Sequence, residues 1–152
     1  MQGKKVFEGR LLGGCLESLY DILTTTRYAD EKAVCEKYGI FPPREEWTGK
    51  ILFVETCEEK PQPALFEKEL KALKDRGVFD VVAGVIVGKP QDEAFYEEYK
   101  DIWKKTVNND QLPIVYNVNF GHATPRCALQ YGTMARVDME KKVIIFHKPI
   151  DR

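Results

Sequence analysis

Histidine is the side chain that titrates near neutrality without a large perturbation, so acid–base chemistry in this chain starts from its two histidines, His122 and His147. His122 follows Gly121 in VYNVNFGHATP (115–125), where a short apolar run ends in a Gly-His pair and a turn would expose the ring. His147 follows Phe146 at the head of a Lys-Pro-Ile-Asp-Arg tail and reads as a surface residue. The matching acid is Glu55, which ends the apolar run Ile51–Val54. An apolar run of this length reads as a strand buried on both faces, so a charge at its last position falls on the carboxyl edge of a sheet. Ligands and chemistry favour that edge in open α/β sheets. A carboxylate there that accepts from Nδ1–H fixes the histidine tautomer and stabilises the imidazolium, which makes Glu55 and His122 the acid and base of a hydrolase triad.

The nucleophile is missing from this pattern. Ser18 is the only serine, and its context Gly-Cys-Leu-Glu-Ser-Leu is not a G-x-S-x-G elbow. It falls in the first turns of an amphipathic segment, where a hydroxyl faces solvent or bonds a backbone carbonyl. Cys57 stands two residues past Glu55 and could meet His122 on the same rim, giving a cysteine hydrolase as one alternative. A non-enzymatic α/β binding domain, in which Glu55 and His122 only line a polar pocket, is another. A third answer places the nucleophile on a part of the protein outside this sequence.

The elements that would carry these residues follow from periodicity and turn chemistry. Lys4–Leu12 alternates weakly and reads as a strand ending at the Gly13-Gly14 bend. Leu16, Leu19, Tyr20 and Leu23 recur at helical spacing and stop in Thr24-Thr25-Thr26. Residues 27–49 read as a loop-rich excursion, with a helical turn at Ala33, Val34 and Tyr38, broken by Pro42-Pro43 and Gly49. Lys50–Glu55 is a strand, and a helix starts at Pro61 and Pro63, carries Phe66, Leu70 and Leu73 on one face, and ends at Gly77. Phe79–Val87 reads as a strand, Gln91–Val107 as a helix with Phe95, Tyr99, Ile102 and Trp103 inward, and Pro113–Val118 as the next strand. Met134–Val137 and Val143–Phe146 flank a polar turn and form a closing hairpin. The fold class is therefore α/β: a mostly parallel βαβαβ sheet with flanking helices and a C-terminal β-hairpin. Right-handed crossovers would bring Glu55, Gly88 and His122 to one rim.

Composition bounds the partners. A chain of 152 residues fits a single domain over 1–152 with one sizeable core. The formal charge of −1, with both signs interspersed, gives no footprint for nucleic acid or an anionic membrane. No apolar run approaches the ~20 residues of a membrane span, and the N-terminus lacks the apolar core of a signal peptide, so a cytoplasmic protein is expected. Four cysteines, Cys15, Cys35, Cys57 and Cys127, include no Cys-x-x-Cys pair and read as reduced thiols rather than as a metal site. The start Gly9-x-x-x-Gly13-Gly14 lacks both the dinucleotide order and the Gly-Lys-Ser/Thr ending of phosphate loops.

Five segments in order, GRLLGGCLESLYDIL (9–23), KILFVETCEEKPQP (50–63), the helix ending in Gly77, VVAGVIVGKP (81–90) and LPIVYNVNFGHATPRCALQYGTMARVD (112–138), resemble the C-terminal domain of the LD-carboxypeptidase family of serine peptidases, and most closely its microcin C immunity branch. The resemblance covers about residues 6–146. It implies a two-domain enzyme with a Ser-Glu-His triad, in which the serine elbow and most of the oxyanion hole belong to an N-terminal nucleophile domain that this sequence lacks. The family's glutamate falls on Glu55 and its histidine on His122, while the serine matches nothing here. Cys15 stands in the Gly-Gly loop where many relatives carry asparagine. The implied reaction is hydrolysis of an amide near a free carboxylate, in a peptidoglycan tetrapeptide or an aminoacyl nucleotide, without metal or organic cofactor. The expected partners are the N-terminal nucleophile domain and that substrate. The vacated domain interface should leave an apolar or mixed patch beside His122, through which a homodimer could form. The chain alone is expected to be inactive.

Overall fold

The computed structural model describes residues 2–147. Six strands form one sheet in the order β4-β3-β2-β1-β5-β6. They are β1 (Val6–Cys15), β2 (Ile51–Glu55), β3 (Gly84–Gly88), β4 (Ile114–Val118), β5 (Met134–Asp138) and β6 (Val143–Phe146). The helices are α1 (Leu16–Asp21), α2 (Glu31–Tyr38), α3 (Pro63–Asp75), the single turn α4 (Val78–Val81) and α5 (Tyr96–Val107). Strands β1 to β4 are mutually parallel, and β5 and β6 add an antiparallel hairpin on the far side of β1. All four parallel strands therefore deliver their carboxyl ends, Cys15, Glu55, Gly88 and Val118, to one edge.

The central strand explains why the rest packs as it does. Every residue of β2 is buried, and its alternating side chains feed two cores. Leu52 and Val54 face the helical side, where they join Val85, Ile114, Phe66, Leu70, Leu73 and Trp103. Ile51 and Phe53 face the other side with Phe7, Leu11, Ile86, Phe120, Ala135 and Val137. Each fully buried aliphatic side chain of this kind stabilises the fold by about 1.5–3 kcal/mol. Helices α3 and α5 close the first core through the stacked Phe66–Tyr99 pair, with centroids 3.9 Å apart, and Phe79 meets Trp103 edge-on at 5.6 Å.

Strand β1 serves two sheets' worth of pairing. Its first half, Val6–Arg10, runs antiparallel to β5, and its second half, Leu11–Cys15, runs parallel to β2. The strand was expected to end at Gly13-Gly14, but the ladder continues through both glycines to Cys15. Gly13 is required by close approach: a Cβ there would lie 1.8 Å from the Phe53 carbonyl oxygen.

Three other expectations change. Phe79–Val87 is not one strand, because Gly77 (φ 69°) turns the chain into helical α4 and β3 begins only at Gly84. The helix expected from Gln91 begins at Tyr96, after a 3₁₀ turn (Gln91–Glu93) in which Asp92 and Glu93 adopt left-handed backbone, as does Phe95 just before the helix. Ion pairs hold that turn, Lys60–Asp92 at 2.5 Å and Lys89–Glu93 at 2.7 Å. The excursion over residues 27–49 contains a two-turn helix, α2, capped by left-handed Gly39, and is pinned by Trp47, which is 1% exposed and donates to the Pro42 carbonyl at 3.1 Å. No helix among the described residues is long and apolar enough to cross a membrane.

One inward position of α3 is anomalous. Glu69 lies in the stripe Phe66, Glu69, Leu70, Leu73 at 2% exposure, and its Oε2 has no hydrogen-bond partner. Burial, and secondarily the charges of Glu17 and Asp21, push this carboxyl up to about 8. Between the ordinary value of 4.5 and about 8 the folded protein thus binds a proton that the unfolded chain has released. Stability falls as pH rises through that window. Glu69→Gln removes the slope. In urea titrations the variant should gain on wild type by on the order of 2–4 kcal/mol between pH 4.5 and 9, and parallel curves across that range would show that the carboxyl is not held neutral.

Candidate active site

Glu55 ends β2 with its carboxylate 8% exposed, and two glycines make that possible. A Cβ at Gly88, on the neighbouring strand, would lie 2.6 Å from the Glu55 Cβ. A Cβ at Gly121 would lie 2.4 Å from Glu55 Oε2, and Gly121 also adopts φ 85°, a backbone conformation that favours glycine. The chain leaving β4 is fastened before it reaches His122. The Lys89 amide donates to the Val118 carbonyl at 2.9 Å, the Cys127 amide donates to the Asn119 carbonyl at 2.8 Å, and Phe120 is buried edge-on against Phe53.

These constraints bring the two residues together. His122 Nδ1 lies 2.8 Å from Glu55 Oε2, and the His122 backbone amide donates to the same oxygen at 3.1 Å. With the proton on Nδ1, the neutral ring carries its lone pair on Nε2. Nε2 lies 3.3 Å from Oε2 of Glu58, a largely exposed carboxylate on the loop after β2. The hydrogen bond to Glu55, assisted by the charges of Glu55 and Glu58, raises the His122 pKa above its ordinary 6.5.

Around the pair, Glu17 ties two strand ends together. One of its oxygens accepts the Cys57 backbone amide at 3.0 Å and the other accepts the Cys15 thiol at 3.1 Å. Burial, with this carboxylate contributing, pushes the Cys57 thiol up to about 11 and the Cys15 thiol up to about 12. Both are therefore thiols at neutral pH, the reverse of the electropositive setting that generates a thiolate nucleophile. Ser18 is exposed on α1 and is hydrogen-bonded to neither Glu55 nor His122. His147 is exposed beyond β6. Among the described residues no group of three or more His, Cys, Asp or Glu side chains could hold a metal ion.

A hollow of about 500 Å³ opens beside Glu55, walled by Gly14, Cys15, Phe53, Phe120, Arg126 and Tyr131. The Tyr131 ring packs edge-on against Phe53 at 5.0 Å between centroids. Sequence reasoning found Glu55, His122 and the Gly88 rim but missed Glu17, Glu58, Arg126 and Tyr131. Their roles arise from contacts between segments far apart in the chain, and no spacing signal marks them.

The raised pKa of His122 has a signed consequence. The folded state keeps the imidazolium to higher pH than the unfolded chain does, so the stabilisation is complete below 6.5 and is lost as pH rises through the folded value. Glu55→Gln removes the carboxylate that causes it. The stability gap between wild type and variant, measured by chemical denaturation, should be widest between about pH 5 and 6 and narrow as His122 deprotonates. A gap that widens with rising pH would contradict the pairing.

Comparison with known proteins shows the family. Residues 8–137 match the family described as LD-carboxypeptidase C-terminal domain. A putative carboxypeptidase of Treponema pallidum is 34% identical over 98 residues, covering 62% of this chain and 28% of that protein. The microcin C7 self-immunity protein MccF of Escherichia coli is 26% identical over 145 residues, covering 93% of this chain and 37% of that protein. The crystal structure of an MccF-like protein from Streptococcus pneumoniae in complex with AMP superposes with a TM-score of 0.92 at 51% identity, covering 96% of this chain and 42% of that one. The chain thus spans well under half the length of these relatives. With the match running through both Glu55 and His122, the chain belongs to the LD-carboxypeptidase C-terminal domain family, the S66 peptidases that include the MccF-like proteins.

Proposed function

We propose that this chain is the acid- and base-bearing half of a serine-type carboxypeptidase that hydrolyses an amide near a free carboxylate, in a peptide or an aminoacyl nucleotide. The observation that carries the reading is the 2.8 Å contact between Glu55 Oε2 and His122 Nδ1, which leaves Nε2 as the ring nitrogen not engaged by Glu55. In the whole enzyme a serine Oγ on the N-terminal domain takes the place at Nε2 that Glu58 Oε2 occupies at 3.3 Å. His122 accepts the serine proton as Oγ attacks the amide carbonyl, and Glu55 stabilises the resulting imidazolium. The imidazolium then protonates the departing amine, and the same base activates the water that cleaves the acyl-enzyme. The oxyanion donors come with the serine elbow on the other domain, and their loss alone costs about 10²–10³ in rate. The shared length with the relatives, at most 42% of theirs, supports a division of the site between two domains. The raised thiol pKa values of Cys15 and Cys57 count against a cysteine mechanism.

The test joins this chain in frame to the N-terminal domain of the Streptococcus pneumoniae MccF-like relative and assays an LD-tetrapeptide and an aminoacyl-sulfamoyl adenosine. Hydrolysis should appear only in the joined protein and fall by ~10³-fold or more with His122→Ala or Glu55→Ala. Turnover by the chain alone that disappears with Cys57→Ala would overturn the serine reading.

A further inference from the structure

We infer that Arg126 is the receptor for an anionic group of the substrate, a carboxylate or a phosphate, seated in the hollow beside Glu55; the inference rests on the peptidase reading of that site. Among the residues walling the hollow, Arg126 is the sole cation and Glu55 the sole carboxylate. Glu55 Oε2 is taken by the ring and amide of His122, so the acid does not neutralise the arginine. Arg126 uses one nitrogen, Nη1, to donate to the carbonyls of Gly121 at 3.3 Å and His122 at 3.1 Å. Both contacts are backbone carbonyls, and among the described residues the guanidinium is joined to no side-chain carboxylate.

That leaves the Nε and Nη2 donors of an exposed guanidinium beside a hollow with no other cation. A planar fork with two such donors matches a carboxylate or phosphate, and an arginine keeps its charge at any working pH. Its anchoring to the His122 carbonyl fixes where an anion would sit relative to the base. The other walls, Phe53, Phe120, Tyr131 and the protonated Cys15 thiol, are apolar or neutral. They accept the uncharged body of a substrate and leave recognition of charge to Arg126. Glu55, the one carboxylate of the hollow, repels an anion and so favours its seating on the arginine.

A structural role for Arg126 as a prop of the 121–126 loop makes a different prediction, because it affects every substrate equally. The experiment compares wild type with Arg126→Gln and Arg126→Lys. The first arm uses the joined two-domain protein with an amide substrate bearing a free carboxylate and with its carboxamide analogue. The second arm measures binding of AMP and of adenosine to the chain itself, so it is read whether or not the joined protein turns over.

If the anion is a carboxylate, Arg126→Gln lowers kcat/KM for the charged substrate by on the order of 10- to 100-fold, mainly through KM, and leaves the carboxamide within about threefold. If it is a phosphate, Arg126→Gln abolishes the preference for AMP over adenosine. Arg126→Lys retains part of either preference, because it keeps the charge and loses the fork. Equal losses on charged and neutral ligands, or charge preferences that Arg126→Gln leaves unchanged in both arms, would overturn the inference. Absence of turnover in the joined wild type, with the AMP preference present and dependent on Arg126, would instead overturn the peptidase reading alone.

Discussion

One carboxylate oxygen organises this molecule. Glu55 Oε2 accepts two hydrogen bonds from a single residue, the ring and the backbone amide of His122, at the end of the most deeply buried strand. A buried carboxylate without such partners would carry a desolvation cost of several kcal/mol. The fold meets that cost by fastening the donor segment rather than by exposing the acid. Gly88 and Gly121 clear the space, Phe120 locks the loop into the second core, and the amide bonds at Lys89 and Cys127 fix its entry and exit. The same features that stabilise the carboxylate orient the imidazole, so positional accuracy and stability come from one set of contacts.

The arrangement also explains how a chain spanning under half the length of its relatives holds Glu55 and His122 in register. Parallel pairing of β1 to β4 places all their carboxyl ends on one edge, and the hairpin β5–β6 extends the opposite flank without crossing that edge. A hollow opens beside that edge, with Arg126 and Tyr131 among its walls. Glu17 acts from beneath, joining the ends of β1 and β2 through Cys15 and the Cys57 amide. This bridge joins the loop carrying Glu58 to the end of β1, while burial, with Glu17 contributing, holds both neighbouring thiols protonated at neutral pH.

Much of this was legible in the sequence because it depends on local pattern. Four apolar residues ending on Glu55 read as a buried strand meeting an edge, and Gly121-His122 read as a turn on a loop leaving a strand; both are found. Other features were not legible for identifiable reasons. The apolar stretch at 78–87 satisfies both a strand and a helical turn over its first residues, and the left-handed turn at Gly77 with the packing of Phe79 on Trp103 goes with the helical turn. Asp92, Glu93 and Phe95 carry no glycine signature, so the delayed start of α5 is set by ion pairs from outside the segment. Cys57 follows Glu55 on the loop after β2, but its burial and its amide bond to Glu17, forty residues away, carry no local signal. The rest of the site is likewise long-range: Arg126 and Tyr131 reach the hollow through a loop whose course follows from where Phe120 is buried.

The claim on which everything else stands is that this chain by itself holds His122 in the tautomer a general base requires. The direct measurement is the ¹⁵N spectrum of the His122 ring in the purified chain, recorded above its titration. The account predicts a neutral ring protonated on Nδ1, with a downfield, exchange-protected proton that disappears in Glu55→Gln. A neutral ring protonated on Nε2, with no such proton and a pKa at the ordinary value, would contradict it.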